Sequence, residues 1–218
     1  MWQTNTMGIA ERKARHKKEL QETILQAAVE LIERDGVEKL TLRKLAARIE
    51  YSPATIYLYY KDKDELLYAL HEEGFRRMYA FQLPCMQIAD SRERIKEIGR
   101  TYIEFGRKHP AYFELMFTDP APIRTLADLE SQNDGEPAWE CGKDVFELMH
   151  STVVELLEKR LIHPAPSHVV AFYLWSMVHG MTSLVNAQRM SAFPEEVVQE
   201  MINHALDYTL ANMHLQPS

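Results

Sequence analysis

Residues 40–67 decide the reading of this chain: Leu40-Thr41-Leu42-Arg43-Lys44-Leu45-Ala46-Ala47-Arg48-Ile49-Glu50-Tyr51-Ser52-Pro53-Ala54-Thr55-Ile56-Tyr57-Leu58-Tyr59-Tyr60-Lys61-Asp62-Lys63-Asp64-Glu65-Leu66-Leu67. Thr41 precedes Leu42, Leu45, Ala46 and Ile49, which share one face of a short helix, and a threonine there suits the N-cap. Ser52 followed by Pro53 repeats the signal, a capping side chain and then a ring that fits the first helical position. That opens a short helix from Pro53 to about Tyr60. Asp62 and Glu65 have the spacing of a capping box and open a longer helix at Lys63. Two short capped helices with a tight turn between them form a helix-turn-helix, whose second helix presents its N-terminal part to the major groove of DNA.

The candidate DNA contacts follow from reach and chemistry: Thr41, Arg43, Ser52, Pro53, Ala54, Thr55, Tyr57, Leu58, Tyr59, Lys61 and Lys63. Small residues permit close approach, hydroxyls reach phosphates or base edges, and Tyr57 is long enough for the backbone. Lys61 and Lys63 stand where they can neutralise phosphates.

Upstream, Leu20, Ile24, Ala27, Ala28, Leu31 and Ile32 recur at helical spacing, predicting a helix from about Lys17 to Asp35 that Gly36 closes at positive φ. The basic run 11–18 leads into it, and residues 1–10 read as disordered. Downstream, the helix from Lys63 should reach about Leu83, where Pro84 stops it. Prolines then separate five further helices near 91–108, 110–117, 137–162, 166–190 and 194–213, with 118–137 expected as loop. The expected fold is all-α: a three-helix helix-turn-helix domain over residues 1–63, and a larger helical bundle over 64–218, about nine helices in all.

Composition agrees. Of 218 residues, 46% are hydrophobic and only 8 are Gly and 10 Pro, which favours long helices. The net charge of −7 at first argues against nucleic acid. Its distribution reverses that: residues 1–63 carry 12 Lys+Arg and 9 Asp+Glu, residues 64–218 carry 13 and 23. A mildly basic head can meet phosphates while an acidic body stays clear.

Cys85 and Cys141 form no metal or disulfide pattern and suit a reducing cytoplasm, and the N-terminus has no signal-peptide pattern. Residues 169–185 lack formal charge but are too few to span a bilayer, so a buried helix shared with a subunit interface is expected. Enzyme motifs are absent: no HExxH, no P-loop, no serine elbow, no paired Glu-x-x-His. Neither catalysis, cofactor nor metal is expected.

At Thr41, Leu45, Ala46, Ser52, Thr55, Ile56, Tyr57, Tyr59, Tyr60, Lys63 and Leu66 the chain resembles the TetR family of bacterial regulators, over about residues 17–70. The resemblance implies a repressor that binds double-stranded operator DNA, and it implies that Tyr60 packs against the first helix. One departure stands in the turn, where Glu50 replaces the usual Gly. Either the turn is built differently or Glu50 adopts a left-handed conformation.

A weaker resemblance, Trp175-Ser176-Met177-Val178-His179-Gly180 with Pro110, Phe113, Met116 and Phe117, points to one C-terminal domain type of that family. That domain is expected to dimerise through the helices near 166–190 and 194–213. It is also expected to hold a small hydrophobic effector against Phe113, Phe117, Trp139, Met149, Trp175 and His179. His179 reads first as a structural histidine bonded to a neighbouring helix, and Gly180 as a point of close helix packing. A DNA-binding factor of the same fold with no effector is the alternative.

Overall fold

A computed structural model describes residues 8–132 and 140–213, and among them every regular element is helical. Ten α-helices follow in order: α1 (Ile9–Asp35), α2 (Leu42–Arg48), α3 (Pro53–Tyr57), α4 (Lys63–Gln82), α5 (Ser91–Lys108), α6 (Pro110–Phe117), α7 (Pro120–Gln132), α8 (Glu140–Glu158), α9 (Ser167–Asn186) and α10 (Glu195–Met213).

The start signals act as the sequence predicts. Thr41 Oγ1 accepts from the Lys44 N–H at 3.2 Å, Ser52 Oγ from Thr55 N–H at 3.2 Å, and Asp62 Oδ1 from Glu65 N–H at 2.8 Å. The Glu65 carboxylate returns the bond one residue further out than a simple capping box, accepting from the Lys61 N–H at 2.6 Å. Gly36 ends α1 at φ 85°.

α8 and α9 each close about four residues before the expected 162 and 190, and three other departures have a local cause. α1 begins at Ile9, so the basic run lies inside the helix; the Gly8 N–H is satisfied by the Glu11 carboxylate at 2.9 Å, which gives the helix an earlier start. α3 closes at Tyr57, although the Tyr59 and Tyr60 N–H groups still reach the Ile56 carbonyl at 2.9 and 3.0 Å. The expected loop 118–137 holds α7. Pro120 and Pro122 fall in its first turn, where helix N–H groups have no intrahelical partner anyway, and Asp119 Oδ1 accepts from Ala121 N–H at 2.8 Å.

Two adjoining apolar cores hold the helices together. The first joins Leu20, Ile24, Ala28 and Leu31 of α1 to Leu45, Ile56, Tyr60 and Leu66, and continues through Phe75, Met78, Tyr102 and Tyr112 to Ile202 and Leu206. The second gathers Ile95, Ile98, Met149, Val153, Leu156, Val170 and Leu174. α4 packs against α6, α7 and α8, and α5 against α9 and α8. At the α4–α6 crossing Gly74 permits the approach, since a Cβ there would sit 2.7 Å from Met116 Sδ and 3.2 Å from Tyr112 Cδ1.

Residues 169–185 divide by face. Val170, Ala171, Leu174, Val178 and Thr182 are buried, whereas Val169, Phe172, Tyr173 and Leu184 are exposed. Gly180 belongs to no close packing among the described residues: a Cβ there would meet nothing within 4 Å.

Candidate nucleic-acid interface and effector cavity

α2 and α3 are joined by a turn that answers the question posed by Glu50. Its φ is 59°, the left-handed conformation. The Tyr51 N–H bonds the Ala46 carbonyl at 3.0 Å and the Glu50 N–H lies 3.4 Å from the Ala47 carbonyl. That pair is the Schellman arrangement, which needs a left-handed residue after the C-cap. The turn therefore keeps the geometry a glycine would give it, with a Cβ tolerated at some strain.

The helix-turn-helix is rigid where it is apolar: Leu45, Ala46 and Ile56 are wholly buried and Tyr60 is 3% exposed. Thr41, Arg43, Ser52, Pro53, Ala54, Tyr57, Leu58 and Lys61 are exposed. Thr55 is half-buried, with its hydroxyl 2.9 Å from Ser52 Oγ. Tyr59 is half-buried and packs on the first core.

Lys63 has an intramolecular partner, its ammonium donating to the Val37 carbonyl at 2.7 Å. Two other cations of this region are likewise engaged: Lys44 Nζ bonds the Lys39 carbonyl at 3.0 Å and Arg48 pairs with Glu30 at 2.7 Å.

In the bundle, a cavity of about 560 Å³ opens between α4, α5, α6, α7, α8, α9 and α10, within the usual range of roughly 300–1,000 Å³ for small-molecule sites. Phe117, Met149 and Trp175, expected in its wall, line it. So do Phe75 and Gln82 of α4, Leu126 of α7, and Leu206, Thr209 and Leu210 of α10. Phe113 and His179 stand behind the wall, their rings stacked with centroids 5.2 Å apart and His179 edge-on to Phe117 at 5.2 Å. Trp139 lies outside the described residues.

Apart from Lys143, an exposed cation in the cavity lining, the polar side chains of the wall are engaged. The Gln82 amide donates to the Ile98 carbonyl at 3.0 Å, and Lys96 is ion-paired with Asp207. Trp175 Nε1 donates to Tyr102 Oη at 3.1 Å, leaving the hydroxyl proton for His179 Nδ1 at 3.0 Å. Burial holds His179 below the ordinary histidine range, so the ring is the neutral acceptor that this bond requires, and burial raises the Tyr102 hydroxyl. His179 thus has the structural role read first from the sequence. Tyr102 joins the cavity wall to it and was not singled out; a lone tyrosine at core spacing carries no further sequence signal. The wall as a whole offers apolar surface rather than open hydrogen-bonding groups.

Other chemistry is thin. A single Glu-x-x-His spacing occurs on α8, where His150 Nδ1 is 3.5 Å from Glu147 and Nε2 is 3.0 Å from Ser167 Oγ. Among the described residues no three His, Cys, Asp or Glu side chains are grouped to hold a metal ion, and no helix is long and apolar enough to cross a membrane.

Residues 24–70 match the family described as bacterial regulatory proteins, tetR family, and residues 95–208 match the tetracyclin repressor-like C-terminal domain. The chain belongs to the TetR family. Among curated relatives, a Saccharopolyspora erythraea HTH-type transcriptional regulator is 43% identical over 58 residues, 26% of this chain and 25% of that protein. The class D tetracycline repressor protein of Escherichia coli is 38% identical over 63 residues, 29% of each. The chain thus spans about a quarter of the length of these curated relatives.

Solved structures match over nearly the whole fold. A Rhodococcus sp. RHA1 protein of unknown function has a TM-score of 0.72 at 23% identity, covering 98% of this chain and 100% of that one. The transcriptional regulator FadR of Bacillus subtilis, solved with stearoyl-CoA, has a TM-score of 0.67 at 16% identity, covering 88% and 99%.

Proposed function

We propose that this TetR-family chain is a DNA-binding transcriptional repressor, released from a palindromic operator by a small hydrophobic molecule. The observation that carries the reading is the joining of two sites by one helix. α4 starts at the helix-turn-helix with the Asp62 cap and delivers Phe75 and Gln82 to the cavity wall. At about 1.5 Å per residue it spans about 30 Å. Residues 1–63 serve as the DNA-binding head and 64–218 as the ligand-binding and dimerising body.

A homodimer supplies the second recognition helix. α9 exposes Val169, Phe172, Tyr173 and Leu184, α10 exposes Val197, Met201 and Tyr208 among charged neighbours, and open Gly180 lets a partner helix come close. Two recognition helices roughly 34–36 Å apart meet successive major grooves. A ligand that fits the cavity better when α4 is tilted draws the head out of register, by no more than its preference for that state. A coupling of about 1–3 kcal/mol weakens DNA binding roughly 5- to 150-fold.

The test starts with a duplex selected from a random library by the full chain, followed by a thermal-shift screen of hydrophobic compounds. The Bacillus FadR complex places acyl-CoA thioesters and fatty acids first in that screen. Each hit is titrated with and without the duplex. Reciprocal weakening is expected; equal ligand affinities in both titrations would leave a DNA-binding dimer without a sensor. A monomer at micromolar concentration by sedimentation would overturn the dimer.

A further inference from the structure

Leu58 is the most exposed large apolar side chain among the described residues, at 81%. Single exposed leucines are ordinary on protein surfaces. This one stands at the end of the recognition helix, on a rigid base: Ile56 and Tyr60 on either side of it are buried. Ala54, one helical turn earlier, is exposed as well, and so are Tyr51 and Tyr57.

The side chains of this element limit what it can read. Residues 51–60 contain no Arg, Lys, His, Asn or Gln. The two-pronged contacts that identify guanine (Arg or Lys) and adenine (Asn or Gln) are therefore unavailable to it. The Thr55 and Ser52 hydroxyls bond each other and the helix N-terminus. With the tyrosine hydroxyls assigned to the phosphate backbone, what the helix has left for base edges is apolar surface, and the apolar feature of the major groove is the thymine C5-methyl.

On the DNA-binding reading above, we propose that Leu58 is a specificity-determining residue that packs on the methyl group of one thymine in each operator half-site. Ala54 supplies the clearance, since a larger side chain one turn away would hold the helix off the base edges. Sequence discrimination by this helix rests on a methyl group rather than on a hydrogen-bond pair.

The experiment uses the full chain and the duplex it selects from a random library. Each thymine is replaced in turn by 2′-deoxyuridine, at the symmetry-related position of both half-sites; this removes one methyl and leaves every hydrogen-bonding group. One position should weaken wild-type binding by roughly fourfold per half-site, the worth of one buried methyl. Leu58→Ala should bind the thymine and uracil duplexes alike, with a circular-dichroism melt matching wild type because the side chain is exposed.

If no thymine is sensitive, or if Leu58→Ala keeps the wild-type sensitivity, the proposal is overturned. If the wild-type chain selects no duplex at all, the DNA-binding reading falls and the proposal with it. Methyl readout then fails for a different and distinguishable reason.

Discussion

The imidazole of His71, wholly buried in α4, places Nδ1 3.1 Å from the backbone carbonyl of Leu115 in α6. A carbonyl can only accept, so Nδ1 carries the proton, and the buried Nε2 has no hydrogen-bond partner among the described residues. The ring lies between Tyr68, stacked at 6.1 Å, and Phe75, edge-on at 5.0 Å. Phe75 lines the cavity, so the histidine lies one turn of α4 away from the cavity wall.

Burial holds His71 below its ordinary pKa, outweighing the Leu115 bond and nearby Glu72, which favour the charged form. The unfolded chain then binds the proton more readily than the folded one. Stability is full above about pH 6.5, the unfolded histidine value, and falls as pH drops from there toward the lower folded value. Denaturant melts from pH 7.5 to 5 should show this slope, and His71→Gln, which retains a donor for the carbonyl, should make it shallower, the remainder coming from His109 and His179, which burial also lowers. Equal slopes in the two proteins would remove His71 from the titration.

Glu50 carries the second prediction. Left-handed backbone costs a residue with a Cβ about 1–2 kcal/mol, and glycine recovers most of that. Glu50→Gly should stabilise the chain by about 1 kcal/mol in chemical denaturation, because the Schellman bonds are already in place. A destabilised variant would mean that the Glu50 side chain contributes more than its backbone costs.

Local chemistry made the head legible from residues alone. Thr41, Ser52 and Asp62 each cap the helix they precede, and Gly36 ends the one it follows, since these signals act over three or four residues. The conformation of Glu50 stayed open, because a residue's identity does not fix its φ. α7 was missed because Pro120 and Pro122 read as breakers when a first turn tolerates both. The cavity was only half legible. Phe117, Met149 and Trp175 lie in its wall, but the parts played by Phe75 and Leu206 depend on how α4 and α10 cross the bundle. Helical spacing tells which residues face inward, not which of them leave a void.

The Tyr102 hydroxyl of α5 ties two side chains of α9 to it, taking the Trp175 N–H and reaching His179. Tyr102→Phe removes the bridge and keeps the ring, leaving two partly buried nitrogens unpaired. The expected cost is about 1–3 kcal/mol in unfolding free energy. A double-mutant cycle with Trp175→Phe checks the mechanism, because loss of Trp175 should erase part of the penalty. Strict additivity would show that the indole bond contributes nothing.

Lys61 and Lys63 separate two roles that the sequence alone assigns to both. Lys61 projects an exposed ammonium, whereas Lys63 uses its own to hold the Val37 carbonyl at 2.7 Å, fastening the start of α4 to the segment after α1. Lys61→Ala should leave the melting temperature unchanged. It should also reduce the slope of log affinity against log salt by about 0.9 for each phosphate the side chain had neutralised, close to two units in a symmetric dimer. Lys63→Ala should behave differently. Losing a charged, partly buried bond of about 1 kcal/mol lowers the melting temperature by roughly 2–4 °C in a chain of this size. Because the ammonium has two further protons, Lys63 can still serve a phosphate, and its salt slope measures that directly. An unchanged slope for Lys63→Ala would assign Lys63 to the fold alone. An unchanged slope for Lys61→Ala would move the phosphate-binding role away from the end of the recognition helix.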